Sequence, residues 1–205
     1  SDPSNPVTGQ IWYNTTTDQI KARQQFVGNA WSTGGNINTA RLFSAGSGTQ
    51  TAALVFGGNN GSDLALTESY DGSSWTEVAD LNTARQNLIG VGTSTSALAG
   101  GGGPPAIDNT ETWNGSSWTE VGDLNQVRQQ AGSSGVAITS ALIFGGVISL
   151  PTRGDEVESW NGSSWTEVGD LNTGRRGLGG AGASNTDALA FAGEDGTTNA
   201  FGVTE

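Results

Sequence analysis

Residues 67–85 read TESYDGSSWTEVADLNTAR, and the chain carries this stretch twice more with few changes. The second copy, at 110–128, is TETWNGSSWTEVGDLNQVR, and the third, at 157–175, is VESWNGSSWTEVGDLNTGR. A shorter relative, GNAWSTGGNINTAR, occupies 28–41. The tryptophans are spaced by 44, 43 and 47 residues, and so are the arginines: Trp31, Trp75, Trp118, Trp165; Arg41, Arg85, Arg128, Arg175. A fixed period of this size predicts a repeat protein whose units stack on their neighbours.

The residues within one repeat favour four short antiparallel strands. A Gly/Ser/Ala-rich run and a polar turn come first, followed by a short apolar run that ends near glycine, as in ALVFGG at 53–58, ALIFGG at 141–146 and ALAFAG at 188–193. Runs of this length bounded by glycine favour buried strands over helices. Asp-Gly or Asn-Gly follows at 71–72, 114–115 and 161–162, and these pairs accept the positive φ angles of a tight hairpin turn. The sequence therefore predicts an all-β fold, and four-stranded repeats of this length are typical of propeller blades.

The order of these motifs resembles the kelch repeat. Glycines follow an apolar strand, an aromatic–turn–tryptophan hairpin comes next, and an arginine follows the tryptophan ten residues later. The resemblance covers roughly 31–205 and implies a β-propeller domain at 28–205 with about four four-stranded blades. The blades are expected at 41–80, 85–123, 128–170 and 175–205, with one additional strand near 28–34. Kelch-like propellers include enzymes, adaptors and binding modules, so the resemblance predicts the fold and not one function.

Residues 1–27 lie outside the repeats and are predicted to form an arm and a hairpin. Two prolines occur in 1–9, and strands are expected at 11–14 and 19–26 around the Thr-Thr-Thr-Asp turn. The stretch PSNPVTGQIWYNTTTDQIKARQQFVGNAW, at 3–31, is similar to segments of tail-fibre and other structural proteins of marine bacteriophages. This resemblance implies a virion component. Ile11, Trp12 and Tyr13 include the aromatic pair that departs from the repeat phase, so they form a candidate interface.

The last repeat stops at Glu205, before its tryptophan strand, whereas a spare tryptophan strand lies near Trp31. An unpaired sheet edge recruits partners. We therefore expect 28–34 to pair with 201–205, by strand exchange between the termini of one chain or with a neighbouring subunit. The arm and hairpin would then be free to add a strand to the next subunit, which predicts self-association through the N-terminal arm.

Composition excludes several classes of function. The net charge is −12 and only eight residues are basic, which argues against a nucleic-acid partner. Cysteine and histidine are absent, so the chain has no disulfide, no Ser-His triad and no zinc or copper site of the usual kind. No cofactor, metal or membrane insertion is expected, although oxygen ligands at 59–63 and 194–196 leave a weaker alternative of calcium. The low fraction of charged residues, 14%, and the polar β pattern predict an extracellular or virion-surface location. The missing initiator methionine predicts processing from a longer product.

The acidic residues follow the repeat phase, which allows two interpretations. Paired carboxylates could hydrolyse a glycosidic bond. A catalytic pair would break the repeat symmetry, however, and these residues obey it. We therefore predict structural pairing between the repeat arginines and these acids, which form three series: Glu68, Glu111, Glu158, Glu205; Glu77, Glu120, Glu167; Asp80, Asp123, Asp170. The repeat tryptophans are expected to pack between blades.

The repeats differ most in their loops, at 59–66, 100–109, 147–156 and 194–200. Repeat proteins usually bind through such loops. Val147, Ile148 and Leu150, with Arg153, form the predicted recognition surface for a glycan or cell-surface receptor. The favoured function is a non-catalytic structural and binding module of a phage fibre or other appendage. A filament or matrix subunit joined by strand exchange between chains remains open, and a carboxylate-only glycosidase is the third alternative.

Overall fold

The computed structural model describes residues 11–17, 19–22, 33–197, 200 and 202–205, which belong to two compact units, Ser1–Gly34 and Gly35–Glu205. The first unit contains an antiparallel hairpin of β1 (Ile11–Asn14) and β2 (Gln19–Ala22). The Asn14 side chain accepts the backbone N–H groups of Thr16 and Thr17, which holds the turn. The predicted hairpin is therefore present, with its second strand at 19–22, and the rest of the expected strand, 23–26, lies outside the described residues.

In the second unit, the described residues form sixteen strands, arranged in four sheets and one additional hairpin. The first sheet contains β3 (Ala45–Thr49), β4 (Ala52–Phe56), β5 (Thr67–Tyr70) and β6 (Trp75–Val78). The second sheet contains β7 (Ile89–Gly92), β8 (Ala97–Gly100), β9 (Thr110–Trp113) and β10 (Trp118–Glu120). The third sheet contains β11 (Gly132–Ala137), β12 (Ser140–Phe144), β15 (Val157–Trp160) and β16 (Trp165–Glu167), interrupted by the hairpin β13 (Val147–Ser149) and β14 (Thr152–Arg153). The fourth sheet contains β17 (Gly179–Ser184) and β18 (Asp187–Phe191).

The predicted all-β class is confirmed, because the described residues form strands and turns and contain no helix. Each four-stranded sheet is an antiparallel meander in chain order, apart from the β13–β14 hairpin. That hairpin lies where the sequence predicted an irregular loop. Its strands span only three and two residues, which is too short for an alternating pattern to be recognised.

The Asx-Gly-Ser-Ser sequence turns the chain between the third and fourth strand of each sheet. Oδ1 of Asp71 accepts the backbone N–H groups of Ser73 and Ser74, and Asn114 and Asn161 accept the equivalent pairs. The glycine of each turn has a φ of 96–98°, a conformation that a side chain disfavours. This local geometry places the aromatic residues at either side of the turn opposite each other, as with Trp113 and Trp118.

The apolar core lies in layers between consecutive sheets. The first strands of the sheets contact one another in series, β3 with β7, β7 with β11, and β11 with β17. Three buried clusters fill the three spaces between the sheets. Between the first two sheets, the ring of Trp118 packs 4.9 Å from that of Phe56, and its indole N–H donates to the Thr67 hydroxyl at 3.0 Å. Trp165 repeats this bond with Thr110, so these two tryptophans join neighbouring sheets as expected.

The fourth sheet has fewer strands than the others. A third segment is added to β18 by backbone hydrogen bonds between Ala190 and Glu205 and by a bridge between Phe191 and Thr204. No tryptophan-bearing strand beyond this segment, and no closed ring of sheets, is found among the residues that the structure describes. The expected pairing of 28–34 with 201–205 involves 28–32 and 201, which lie outside the described residues.

Candidate functional site

The four repeat arginines lie in buried ion pairs. Each arginine precedes the first strand of a sheet, and its guanidinium reaches the glutamate near the sheet's opposite edge. The Nη2–Oε1 distance is 3.2 Å for Arg85–Glu111, 2.7 Å for Arg128–Glu158 and 2.8 Å for Arg175–Glu205, and Arg41 pairs with Glu68 in the same way. The arginine side chains are at most 1% exposed.

The third sheet shows how completely such a pair is bound. Nη1 of Arg128 donates to the carbonyl oxygens of Gly145 and Glu156, at 3.2 and 2.8 Å, while Nη2 donates to Glu158. The other carboxylate oxygen of Glu158 accepts the backbone N–H and the side-chain amide of Asn125, at 2.7 and 2.9 Å. Both partners are therefore tied to fixed groups on more than one side, as buried charges require.

The hydrogen bonds and the ion pair of Glu68 shift the pKa of its carboxyl group. Burial acts to raise the pKa of Glu68, but the N–H groups of Asn38 and Thr39 and the charge of Arg41 outweigh it, so the pKa is lowered. For Arg85, burial lowers the guanidinium pKa, and the charge of Glu111 opposes that shift. The Glu68 carboxylate is therefore held ionised and hydrogen-bonded, which suits a structural role better than proton transfer.

The remaining repeat-phase acids have other partners. Glu77, Glu120 and Glu167 are exposed on the last strand of each sheet. Asp80 accepts the backbone N–H of Thr67, and Asp123 accepts that of Thr110. From the sequence, every repeat-phase acid was a candidate partner of the repeat arginines. In the structure, the described acidic partners of these arginines are Glu68 and its three equivalents. In each four-stranded sheet, an exposed carboxylate and an arginine-bound carboxylate lie opposite each other on neighbouring strands, for example Glu77 and Glu68.

A cavity of about 300 Å³ opens beside the row of repeat arginines, and we call it the amide cavity. Carboxamide side chains dominate its polar lining, which is completed by an arginine and several apolar residues: Gln86, Asn87, Gln129, Gln130, Arg176, Phe43, Pro104, Val147, Leu150. Phe43 and Leu150 are 58% and 74% exposed, so the cavity has apolar walls open to solvent. Concave sites with a few convergent polar groups are the usual form of ligand sites.

A row of backbone hydrogen bonds supports the amide cavity. The N–H of Asn87 donates to the carbonyl of Phe43, that of Gln130 to Asn87, and that of Gly177 to Gln130, each at 2.9 Å. One residue from each repeat thus takes part, and all four have φ values of 55–63°. This unusual conformation, held in four repeats by the same bonds, places equivalent residues side by side.

The side chains of the amide cavity carry little uncompensated charge. Arg176 pairs with Glu194, which also lies 3.3 Å from Arg153. The hydrogen bond from Arg176 lowers the pKa of Glu194, so this acid stays ionised and balances the cavity arginine. The amide of Asn87 donates to the Gly103 carbonyl at 3.2 Å and to Gln129 at 3.3 Å. Within the described part of the chain, the Gln130 side-chain amide has no hydrogen-bond partner, so it is free for a ligand.

The predicted recognition loop contributes part of this cavity. Val147 and Leu150 line it, whereas Ile148 is half-buried away from the lining and Arg153 pairs with Glu194. The candidate interface Ile11, Trp12 and Tyr13 forms β1 of the first unit, and Trp31 lies outside the described residues. Sequence reasoning missed the carboxamides and Phe43. They occupy the two positions after each repeat arginine, where the repeats diverge, and that divergence was the available signal.

The calcium alternative gains no support from the loop geometry. Asp63 accepts the amide groups of Asn59 and Gln86, at 3.0 and 2.9 Å, and Glu194 is bound to arginine. No three acidic side chains come together as a metal-binding group in the part of the chain that is described. The described residues also include no helix long and apolar enough to cross a membrane.

Neither protein-family models nor curated proteins give a match to this chain.

Proposed function

We propose that this chain is a non-catalytic structural and binding module, and that its amide cavity binds a neutral, polyhydroxylated ligand such as a glycan. The observation that carries the proposal is the lining of that cavity, which combines four carboxamides with exposed apolar surface. A carboxamide both donates and accepts hydrogen bonds, as a sugar hydroxyl does. The exposed ring of Phe43 offers an apolar face beside these amides.

Charge balance favours a neutral ligand over an ionic one. Arg176 is the one ionisable residue among the described residues of the lining, and Glu194 already neutralises it. A phosphate or carboxylate ligand would have to compete with Glu194 for that guanidinium. A sugar needs no net charge in its site, so the observed pairing can stay intact when it binds.

The absence of catalysis is inferred from the state of the acids. The buried glutamates are bound by arginine and amide groups, and the facing glutamates are exposed on sheet edges. A glycosidase needs one acid that stays protonated and a second that stays ionised near the scissile bond. The lowered pKa of Glu68 is the opposite of what a general acid requires.

The finer fold proposal is a kelch-like β-propeller of about four blades whose last blade is completed by an added strand. Four consecutive sheets stack through equivalent first strands, and each begins with the same buried arginine. A polar surface of low charge supports an extracellular or virion-surface location. The phage-like segment at 3–31 supports the proposal of a fibre or appendage as its setting.

A glycan array probed with the full chain tests the binding proposal. We expect binding to a restricted set of neutral glycans, with affinity reduced about tenfold in Gln130→Ala, the scale of one lost hydrogen bond. Gln50→Ala is the matched control, because Gln50 lies in the exposed turn between β3 and β4. Binding to no neutral glycan, or equal binding by both variants, would contradict the proposal. Release of free sugar from a bound glycan would instead support the glycosidase alternative.

A further inference from the structure

The third and fourth sheets share a vacant apolar cavity of about 100 Å³. Its walls come from β12, β15 and β18 and from Leu171 in the connection between the sheets, and Glu205 borders it. Val157, Leu171 and Ala190 belong to the buried cluster between these two sheets. This is the smallest of the three inter-sheet clusters, and among the described residues it is the one that contains no tryptophan.

The same position is filled by tryptophan in the two preceding spaces. Trp118 packs between the first two sheets with Leu54, Phe56, Leu81, Ala97 and Ala99. The equivalent residues two repeats further along the chain form walls of the vacant cavity, in the same order: Leu142, Phe144, Leu171, Ala188, Ala190. Trp165 fills the middle space with Leu98, Leu124, Ala141 and Ile143. The vacant cavity is therefore a tryptophan socket, and we use that name for it below.

A second group beside the socket also lacks its partner. The side-chain amide of Asn82 donates both to Glu111 and to the carbonyl of Trp118, and Asn125 does the same with Glu158 and Trp165. Asn172 donates to Glu205, and no tryptophan carbonyl is present for it among the described residues. Glu205 is 18% exposed, whereas its equivalents in the other sheets are 1% exposed. Both vacancies are where a strand that carries tryptophan would lie.

The first and fourth sheets of the second unit do not make the contact that joins the other sheets. The indole N–H of Trp118 donates to Thr67 of the preceding sheet, and that of Trp165 donates to Thr110. Ring closure within the chain would bring the Trp75 indole to Thr204. Instead, Trp75 donates to the carbonyl of Gly35 at 3.1 Å, and Thr204 is exposed.

Exposed apolar residues mark both ends of the series of sheets. Leu42 and Phe43, beside the first sheet, are 66% and 58% exposed. On the fourth sheet, Leu189 and Phe191 are 52% and 39% exposed, although their equivalents in the first sheet, Leu54 and Phe56, are buried. Exposed apolar surface of this kind marks an interaction site. The two ends differ from each other, so the contact they can make is head-to-tail.

We propose that the tryptophan socket receives the strand at 28–34 of a second copy of this chain, with Trp31 of the partner copy in the vacant position. Trp31 has the spacing of the repeat tryptophans, and Asn38 and Arg41 follow it as Asn125 and Arg128 follow Trp118. Gly35 already packs against Ser73 as Gly122 packs against Ser163. Gly35 therefore has the same position relative to the first sheet that Gly122, which follows the second sheet, has relative to the third sheet. In the proposed assembly, the sheet that precedes the first sheet is the fourth sheet of another copy.

The contact adds a fourth strand to the incomplete fourth sheet. In the second sheet, the N–H of Val121 donates to the carbonyl of Thr110, so Gly34 of one copy is expected to donate to Thr204 of the next. Val157 stands where the other sockets offer a threonine hydroxyl, so the incoming indole N–H needs a carbonyl or water acceptor, as Trp75 uses Gly35. Every copy carries one donor strand and one socket. Head-to-tail contacts therefore continue into a filament, or close into a ring of several copies.

Disulfide trapping tests the contact and distinguishes it from closure within one chain. The chain contains no cysteine, so Gly34→Cys and Thr204→Cys introduce single thiols. An equal mixture of these two variants can link 34 to 204 only between copies. We expect a covalent dimer of that mixture under mild oxidation. The control is a mixture of Thr204→Cys with Ser116→Cys, which places the thiol in an exposed hairpin turn.

Two results of these experiments would overturn the proposal. A dimer yield no greater than in the control mixture overturns the proposal. So does a Gly34→Cys/Thr204→Cys double variant that forms only an internally linked monomer, because the strand would then close its own ring. Sedimentation velocity gives an independent readout. Ala188→Arg at the socket wall and Trp31→Ala should each shift the protein towards monomer, whereas Gln50→Arg, on an exposed turn, should not.

Discussion

At the scale of single residues, the choice of arginine at position 128 is explained by the directions of its acceptors. Arg128 donates to two carbonyls through Nη1 and to Glu158 through Nη2. A lysine ammonium cannot reach all three groups from one position. Arg128→Lys should therefore lower the free energy of unfolding by about 1–3 kcal/mol, the cost of buried acceptors left without a donor. Urea denaturation followed by tryptophan fluorescence measures this loss.

The control for this substitution is Arg176→Lys. The guanidinium of Arg176 is one-third exposed and pairs with Glu194, and exposed pairs contribute about 0–1 kcal/mol. A change that is small at Arg176 and larger at Arg128 supports the geometric explanation. Equal losses at both positions would show that the fork geometry of Arg128 does not matter.

Asp71 provides a pH-dependent test at the residue scale. The backbone N–H of Ser74 and the hydroxyl and N–H of Ser73 donate to its carboxylate, so the pKa of Asp71 is lowered in the folded state. A lowered folded pKa contributes stability above the unfolded value of about 4, and this contribution is lost as the pH falls through the folded pKa. Asn114 and Asn161 accept the equivalent bonds without titrating.

We therefore expect Asp71→Asn to have nearly the same melting temperature as the parent at pH 7. Below about pH 4, the parent should lose this advantage while the variant does not, so the difference between them should move in favour of Asn. Thermal unfolding from pH 7 to pH 2 checks this. A difference that stays constant with pH would mean that the turn hydrogen bonds do not depend on the charge of Asp71.

At the scale of elements, glycine lets the first strands of neighbouring sheets approach each other. A Cβ on Gly180, in β17, would lie 2.0 Å from the Ser133 carbonyl oxygen of β11 and 2.6 Å from the Phe144 ring. Gly180→Ala should therefore push these two sheets apart and cost about 1–3 kcal/mol, as overpacking does. The melting temperature reports the loss. Gly169→Ala is the matched control, since a Cβ there meets no atom within 4 Å, and a similar loss in both variants would contradict the packing explanation.

The elements differ in how well the sequence predicts them. The hairpins at Asp71-Gly72 and its two repeats follow from local chemistry, because the turn closes on its own side chains. The β13–β14 hairpin could not be predicted, since strands of three and two residues carry no pattern. The partners of the acids were also beyond the sequence. Glu68 and Asp80 both recur with the repeat period, so the sequence does not distinguish them. Only the folded sheet shows that Arg41 binds Glu68 and that the Thr67 N–H binds Asp80.

At the scale of the whole molecule, the repeats explain why the candidate sites are not visible in the sequence. The carboxamides of the amide cavity are about one repeat apart in the chain, for example Asn87 and Gln130. They become neighbours only because backbone bonds join equivalent positions of consecutive repeats. The tryptophan socket is likewise formed by residues of two sheets, and it is recognised only by comparison with the spaces that Trp118 and Trp165 fill. Periodicity predicts that equivalent residues exist, but packing decides which of them meet.

The vacant socket also changes the expected cause of self-association. The sequence favoured the N-terminal arm and hairpin, whereas the socket matches the strand that carries Trp31. Two truncations separate these explanations, one that removes 1–26 and one that removes 1–32. Both should keep the β-sheet circular dichroism spectrum, because contacts within Gly35–Glu205 join all four sheets. Removal of 1–26 leaves Trp31 in place and should preserve assembly, while removal of 1–32 should give a monomer.

Sedimentation velocity over a range of protein concentrations distinguishes the two truncated chains. A monomer that appears only when Trp31 is removed fits a strand that fills the socket. Loss of assembly with the shorter truncation would instead assign the contact to the arm and the hairpin of β1 and β2. Assembly that survives both truncations would mean that the exposed apolar ends, Leu42 and Phe43 against Leu189 and Phe191, associate without any donated strand.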